Sequence, residues 1–171
     1  MNKINIYLIA RISKDAHEWN NRICGMLDCS KFGVFKPHEH NPWNGAHEKF
    51  SKDVFDIDLE ALKWSHIGLC LPEFGKDCAW ETGWYSNSKK PLVIFISDQL
   101  SWLRDWMIKG GLDYVITDKN ETYNILLNDP ILKHKKIIQI RFKNKLGNEL
   151  EKIYRRHYQN LSEQKNRRLL D

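Results

Sequence analysis

Runs of β-branched and apolar residues alternate along this chain with segments whose apolar positions recur every three to four residues. Residues 4–9 (INIYLI) form the first continuous apolar run and predict a buried strand. Ser13 follows as an N-cap candidate, with Asp15 and Glu18 early in the next segment. Trp19, Ile23, Met26 and Leu27 then recur at helical spacing. Residues 30–46 carry Gly33, Pro37, Pro42 and Gly45 and read as a loop around a short possible strand at Val34–Phe35. A second helix is predicted from about His47 to Trp64, with Phe50, Val54, Ile57, Ala61 and Trp64 as its apolar stripe.

Further strands are predicted at 66–71, 91–96 and 114–117, with another possible one at 136–140. Helices are expected between them: Asp77–Ser86, a short one at 100–108 ended by Gly110-Gly111, and 120–127. A long basic helix over 146–161 closes the chain. Strands alternating with helices imply an α/β fold. The expected architecture is a Rossmann-like doubly wound, mainly parallel five-stranded sheet with helices on both faces. Residues 1–128 would form the core domain, and 129–171 a basic C-terminal extension packed on it.

Composition narrows the function classes. Apolar residues at 42% and charged residues at 29% suit a globular chain of 171 residues with one core. The net charge of +5 is concentrated between Lys133 and Arg168. That excess reads as a solvated helix face, because no nucleic-acid reader motif accompanies it. Nucleic acid is therefore not an expected partner. The four cysteines, Cys24, Cys29, Cys70 and Cys78, include no CxxC pair, which argues against a zinc or thioredoxin-like motif. The opening residues lack the layout of a signal peptide, and no run approaches a membrane span. A cytoplasmic protein with no membrane partner is expected. His38-Glu39-His40 is a weak metal signal without a third ligand, so no metal is expected.

Ligands of open α/β sheets bind beyond the carboxyl ends of the strands. Three loops there supply polar groups: Arg11 and Ser13, then Glu73 to Asp77, then Ser97 to Gln99. The most informative segment is PEFGKDCAWETGWY, residues 72–85. Asp77 and Glu81 are four apart and share a helix face. Asp77 is a helix cap, a site carboxylate, or both. Glu81 stands among Ala79, Trp80, Gly83, Trp84 and Tyr85, which is no ordinary solvated position. Gly83 costs helix stability and suggests close approach of backbone or ligand. Asp58, beside Ile57 and Ala61, is a second acid at the edge of an apolar face. Two carboxyl groups are what glycosidic chemistry needs, one to attack and one to manage the proton.

The order IYLIAR, DIDLEALKWSHIGLCLPEFGKDCAWETGWY and KKPLVIFI resembles the nucleoside 2-deoxyribosyltransferase superfamily, over about residues 4–117. That superfamily includes base-exchanging transferases and hydrolases of nucleoside 5′-monophosphates. The resemblance implies a Rossmann-like sheet, no cofactor and no metal. It implies Glu81 as nucleophile through a covalent glycosyl-enzyme intermediate, Asp58 as the proton-handling acid, and Tyr7 as the group orienting Glu81. Asp77, Gly75 and Trp84 would contact substrate. Aromatics such as Trp80 or Trp84 would either stack on a base or belong to the core. Asp105-Trp106-Met107 resembles the segment that members lend to a neighbouring subunit, so Asp105 and Met107 would complete a partner's site and the protein would be a homodimer or larger. The first loop, ARISKD, lacks the glycines common there. Arg11 and Ser13 would instead suit a 5′-phosphate. The expected function is cleavage or transfer of an N-glycosidic bond of a nucleoside or nucleoside 5′-monophosphate. The competing readings are a TIR-like NAD glycohydrolase and a non-catalytic nucleotide-binding module.

Overall fold

Six parallel strands alternate with helices in the computed structural model, which describes residues 3–40 and 47–167. The strands are β1 (Ile4–Ala10), β2 (Phe32–Phe35), β3 (Ile67–Leu71), β4 (Leu92–Ile96), β5 (Tyr114–Thr117) and β6 (Lys136–Gln139). The main helices are α1 (Lys14–Cys24), α2 (Pro37–His40), α3 (His47–Trp64), α4 (Lys76–Ser88), α5 (Trp106–Gly111), α6 (Asn120–Asn128) and α7 (Leu146–Arg167). The strand order is β2-β1-β3-β4-β5-β6, and every pairing is parallel.

This α/β, Rossmann-like, doubly wound sheet agrees with the sequence expectation in class, but it has six strands where five were expected. The difference lies at the edges. β2 and β6 have four residues each, and Gly33, Lys136 and Gln139 dilute their apolar signal. An edge strand has one partner and shows more of itself to water, so its pattern is weaker than that of a central strand. β6 lies beyond residue 128, so the sheet runs on into the segment expected to be an extension.

The central strands are buried on both faces, as continuous apolar runs require. Alternate residues feed two cores. On one face Ile4, Ile6 and Leu8 meet Ile23 and Leu27 around α1, together with Leu146, Leu150 and Ile153 of α7. On the other, Tyr7, Ile9, Cys70 and Ile94 meet Ala61 and Leu62 of α3, Cys78 and Tyr85 of α4, and Leu126 of α6. Gly68 of β3 leaves room for Leu92 and for the Tyr85 ring of α4. A Cβ there would stand 2.8 Å from Leu92 Cδ1 and 2.8 Å from the Tyr85 ring. Lys90 ties the carboxyl end of α3 to the sheet, its ammonium donating to the carbonyls of Leu62, Lys63 and Ser65.

The expected α3 stripe is only partly covered. Ala61 is buried, while Ile57 and Trp64 are close to half exposed. Pro42 and Gly45 lie outside the described residues, as does Arg168 at the end of the basic stretch. Among the described residues no helix is long and apolar enough to cross a membrane.

Candidate active site

Strand order reverses between β1 and β3, since the chain leaves β1 to build β2 on one side and returns to add β3 on the other. Such a switch point leaves a crevice at the carboxyl ends of the two strands. A cavity of about 580 Å³ lies there. Ala10, Arg11 and Ile12 line it from the end of β1 and the loop after it, Val54, Phe55 and Asp58 from α3, and Gly75, Asp77, Cys78, Trp80 and Glu81 from the N-cap and first turns of α4. Pro37 closes it from α2. The loop entering α4 is held against β1 by the Arg11 amide, which donates to the Glu73 carbonyl at 3.1 Å.

Glu81 is the buried acid of this cavity, 9% exposed. The Tyr7 hydroxyl donates to its Oε1 at 2.6 Å. Tyr7 is itself fully buried and stacks on Phe35, with ring centroids 5.4 Å apart. Burial pushes the Glu81 carboxyl up to about 7; the Tyr7 hydrogen bond opposes this, and the negative charges of Asp58 and Asp77 add to it. Burial also raises Asp58, to about 6, with Asp77 contributing. The Tyr7 phenol is held far above its ordinary value by burial and by the charges of Glu81 and Asp58, so it remains a donor at neutral pH. Two carboxyl groups poised near neutrality in one crevice are suited to nucleophilic and acid–base work.

The crevice therefore gathers Glu81, Asp58, Asp77, Gly75 and Arg11, with Tyr7 directly behind Glu81. Other expected site residues lie elsewhere. Trp84 does not line the cavity; its ring sits edge-on to Tyr85, 5.3 Å away, and beneath the Lys90 ammonium. Three residues past Glu81, it has turned toward the amino end of β4. Trp80 takes the aromatic position instead. Ser13 does not line the cavity either: it occupies the N-cap position of α1 without a capping hydrogen bond. Ser97, Asp98 and Gln99 are likewise absent from the lining. Gly83 faces open space, so no close approach explains it.

Asp105 and Met107 do not line the crevice of their own chain. Asp105 occupies the N-cap position of α5 without a side-chain capping hydrogen bond, while Trp106 and Met107 stand 72% and 86% exposed. His38 stacks on His17 and His40 on Phe35, and no cluster of metal-ligating side chains occurs among the described residues. Among the lining residues that the sequence does not mark as candidates, Phe55 is the aromatic one. It sits off the apolar stripe of α3, and that displacement was its one available signal.

No protein-family model matches the chain, and no curated protein matches it either. Solved structures do. A 2-deoxyribosyltransferase from the psychrotolerant bacterium Bacillus psychrosaccharolyticus superposes with a TM-score of 0.55 at 25% identity, covering 69% of this chain and 89% of that one. A conserved protein from Enterococcus faecalis V583 superposes with a TM-score of 0.56 over 88% of this chain and 99% of that one; at 16% identity it speaks for the fold alone. The shared fold and the 25% identity to the transferase support the nucleoside 2-deoxyribosyltransferase-like superfamily for this chain.

Proposed function

We propose that the protein is an enzyme of nucleoside glycosyl transfer, breaking the N-glycosidic bond of a nucleoside or nucleoside 5′-monophosphate with Glu81 as nucleophile. The observation that carries this reading is the buried Glu81 carboxyl, held by Tyr7 in a crevice shared with Asp58 and Asp77. A carboxylate that attacks C1′ must be desolvated yet still charged at working pH. Burial supplies the first condition, and the Tyr7 hydrogen bond favours the second.

In this mechanism the Glu81 carboxylate bonds to C1′ as the C1′–N bond breaks. The developing positive charge on the sugar is stabilised by the surrounding carboxylates. Asp58, protonated on part of the molecules near pH 6, gives its proton to the departing base nitrogen. Water or a second base then attacks C1′ and frees Glu81. Arg11 at the rim is the group available to a 5′-phosphate, now without Ser13 beside it. The exposed Trp106 and Met107 are proposed to meet a second copy of the chain in a homodimer.

The test is chromatographic. Wild type and Glu81→Ala are incubated with pooled nucleosides, 2′-deoxynucleosides, their 5′-monophosphates and NAD, with and without an acceptor base. We expect base release or exchange from wild type and none from the variant. Nicotinamide as the sole product would redirect the reading to an NAD glycohydrolase. No product from any substrate would leave a binding module.

A further inference from the structure

The two helices that flank the crevice present matching chemistry across it. On α3, Phe55 and Asp58 are one turn apart, and on α4, Trp80 stands between Asp77 and Glu81 on the same face. Each helix thus offers one aromatic ring with carboxylate beside it. The Phe55 and Trp80 rings are tilted at 58° with centroids 5.7 Å apart. Both are about half exposed, at 50% and 49%, although each lines the cavity. They form an aromatic wall awaiting a partner rather than part of the core.

The charge balance of the lining is one-sided. Three carboxyl groups face a single cation among the described residues, Arg11. The Arg11 side chain is 45% exposed at the rim and faces Asp15 at 3.7 Å, so part of its charge is already engaged. The amino end of α4 would attract an anion, but Asp77 occupies its first turn and offsets it. Aromatic faces flanked by carboxylates attract delocalised cations, through the ring quadrupole and through charge.

We infer that the crevice selects N-glycosides whose base carries a positive charge, such as N-alkylated purine or pyridinium nucleosides, over their neutral counterparts. The inference rests on the N-glycosidase reading and names its substrate class. The chemistry balances without a proton donor. Glu81 bonds to C1′, the C1′–N bond breaks, and its electron pair returns to the ring nitrogen, cancelling the positive charge. The base leaves neutral. Water then bonds to C1′, the C1′–O bond to Glu81 breaks, and one proton passes to Asp58 and on to solvent. A neutral base, by contrast, must be protonated as it leaves. That draws on an Asp58 which carries its proton only up to about pH 6.

A unit charge roughly 6 Å from a carboxylate, in a medium between protein surface and bulk water, corresponds to about a tenfold preference. The experiment compares N7-methylguanosine with guanosine, and the same pair as 2′-deoxynucleosides, using wild type. Each kcat/KM is divided by the uncatalysed rate, because the methylated nucleosides are intrinsically more labile. We expect KM for the cationic member about tenfold lower, and rising with added sodium chloride while that of the neutral member stays level. Trp80→Leu narrows the ratio between the two, and because Trp80 is half exposed, its loss leaves the core intact. Equal KM values, or a cation KM that ignores salt, overturn the inference while the N-glycosidase reading stands. No turnover of any nucleoside removes that reading and the inference with it.

Discussion

Removing the Tyr7 hydroxyl isolates the interaction that keeps Glu81 usable. In Tyr7→Phe the ring and its stacking on Phe35 remain, and Glu81 Oε1 loses the donor at 2.6 Å. That hydrogen bond favours the charged carboxylate, so its loss raises the Glu81 pKa further above about 7. A hydrogen bond to a charged group contributes about 1.5–3 kcal/mol, equivalent to roughly one to two pH units. For a substrate whose base leaves without a proton from Asp58, the acid limb of kcat/KM should therefore move from near pH 7 to roughly pH 8–9. At pH 7 the carboxylate fraction falls from about one half to a few per cent, and the rate falls with it, roughly 5- to 50-fold. Much of the loss should be recovered on the alkaline plateau.

The assay is base release followed from pH 5 to 10 with wild type and variant. The limb reports an apparent value for the Glu81, Asp58 and Asp77 cluster, so the shift between proteins, not the absolute position, carries the argument. A variant slower by the same factor at every pH would refute it. Tyr7 would then position Glu81 without tuning its charge.

Four further outcomes follow from the geometry. Glu81→Gln should abolish turnover yet raise Tm above pH 7. The folded pKa of Glu81 is raised, so its contribution to stability is full below its unfolded value near 4.5 and is lost as pH rises through about 7. The loss is worth up to about 3 kcal/mol, and calorimetry of both proteins should show a much larger difference at pH 8 than at pH 5. Asp58→Asn should slow release of neutral bases about 100-fold or more, measured as kcat, because the proton for the leaving nitrogen is gone. Gly68→Ala should lower stability by about 1–3 kcal/mol in urea melts, since the new methyl meets Leu92 and the Tyr85 ring at 2.8 Å. Sedimentation should find a homodimer, and Trp106→Glu with Met107→Glu should weaken it, while an unchanged association would clear these exposed side chains of that role.

The central sheet was legible because strands buried on both faces read as unbroken apolar runs. INIYLI and PLVIFI leave little room for another assignment. The edges were not, since Phe32–Phe35 and Lys136–Gln139 each mix apolar with polar or glycine positions. Gly83 misled for a related reason. Its presence in a helix signals a cost, but not whether the cost is offset by contact, and its Cβ direction turned out to be open. The positions where contact does demand glycine are Gly68 and Gly111, and nothing in their local sequence distinguishes them.

The crevice was half legible, and α4 explains which half. Its polar and apolar residues barely segregate, because one side packs on the sheet through Cys78 and Tyr85 while the adjoining side faces the cavity through Asp77, Trp80 and Glu81. Charge and spacing marked Glu81 and Asp77 as candidates, the resemblance gave Glu81 its expected role, and both line the cavity. Choosing between Trp80 and Trp84 needed the rotation of the helix about its own axis. Four residues advance about 40° beyond a full turn, and the choice also depends on where β4 begins. Phe55 needed more still, because it lines the cavity only through the approach of α3 to α4. Residues whose role rests on their own chemistry can be read from one segment. Those whose role rests on facing another helix emerge only once the two helices meet, and the aromatic wall of this crevice is of that second kind.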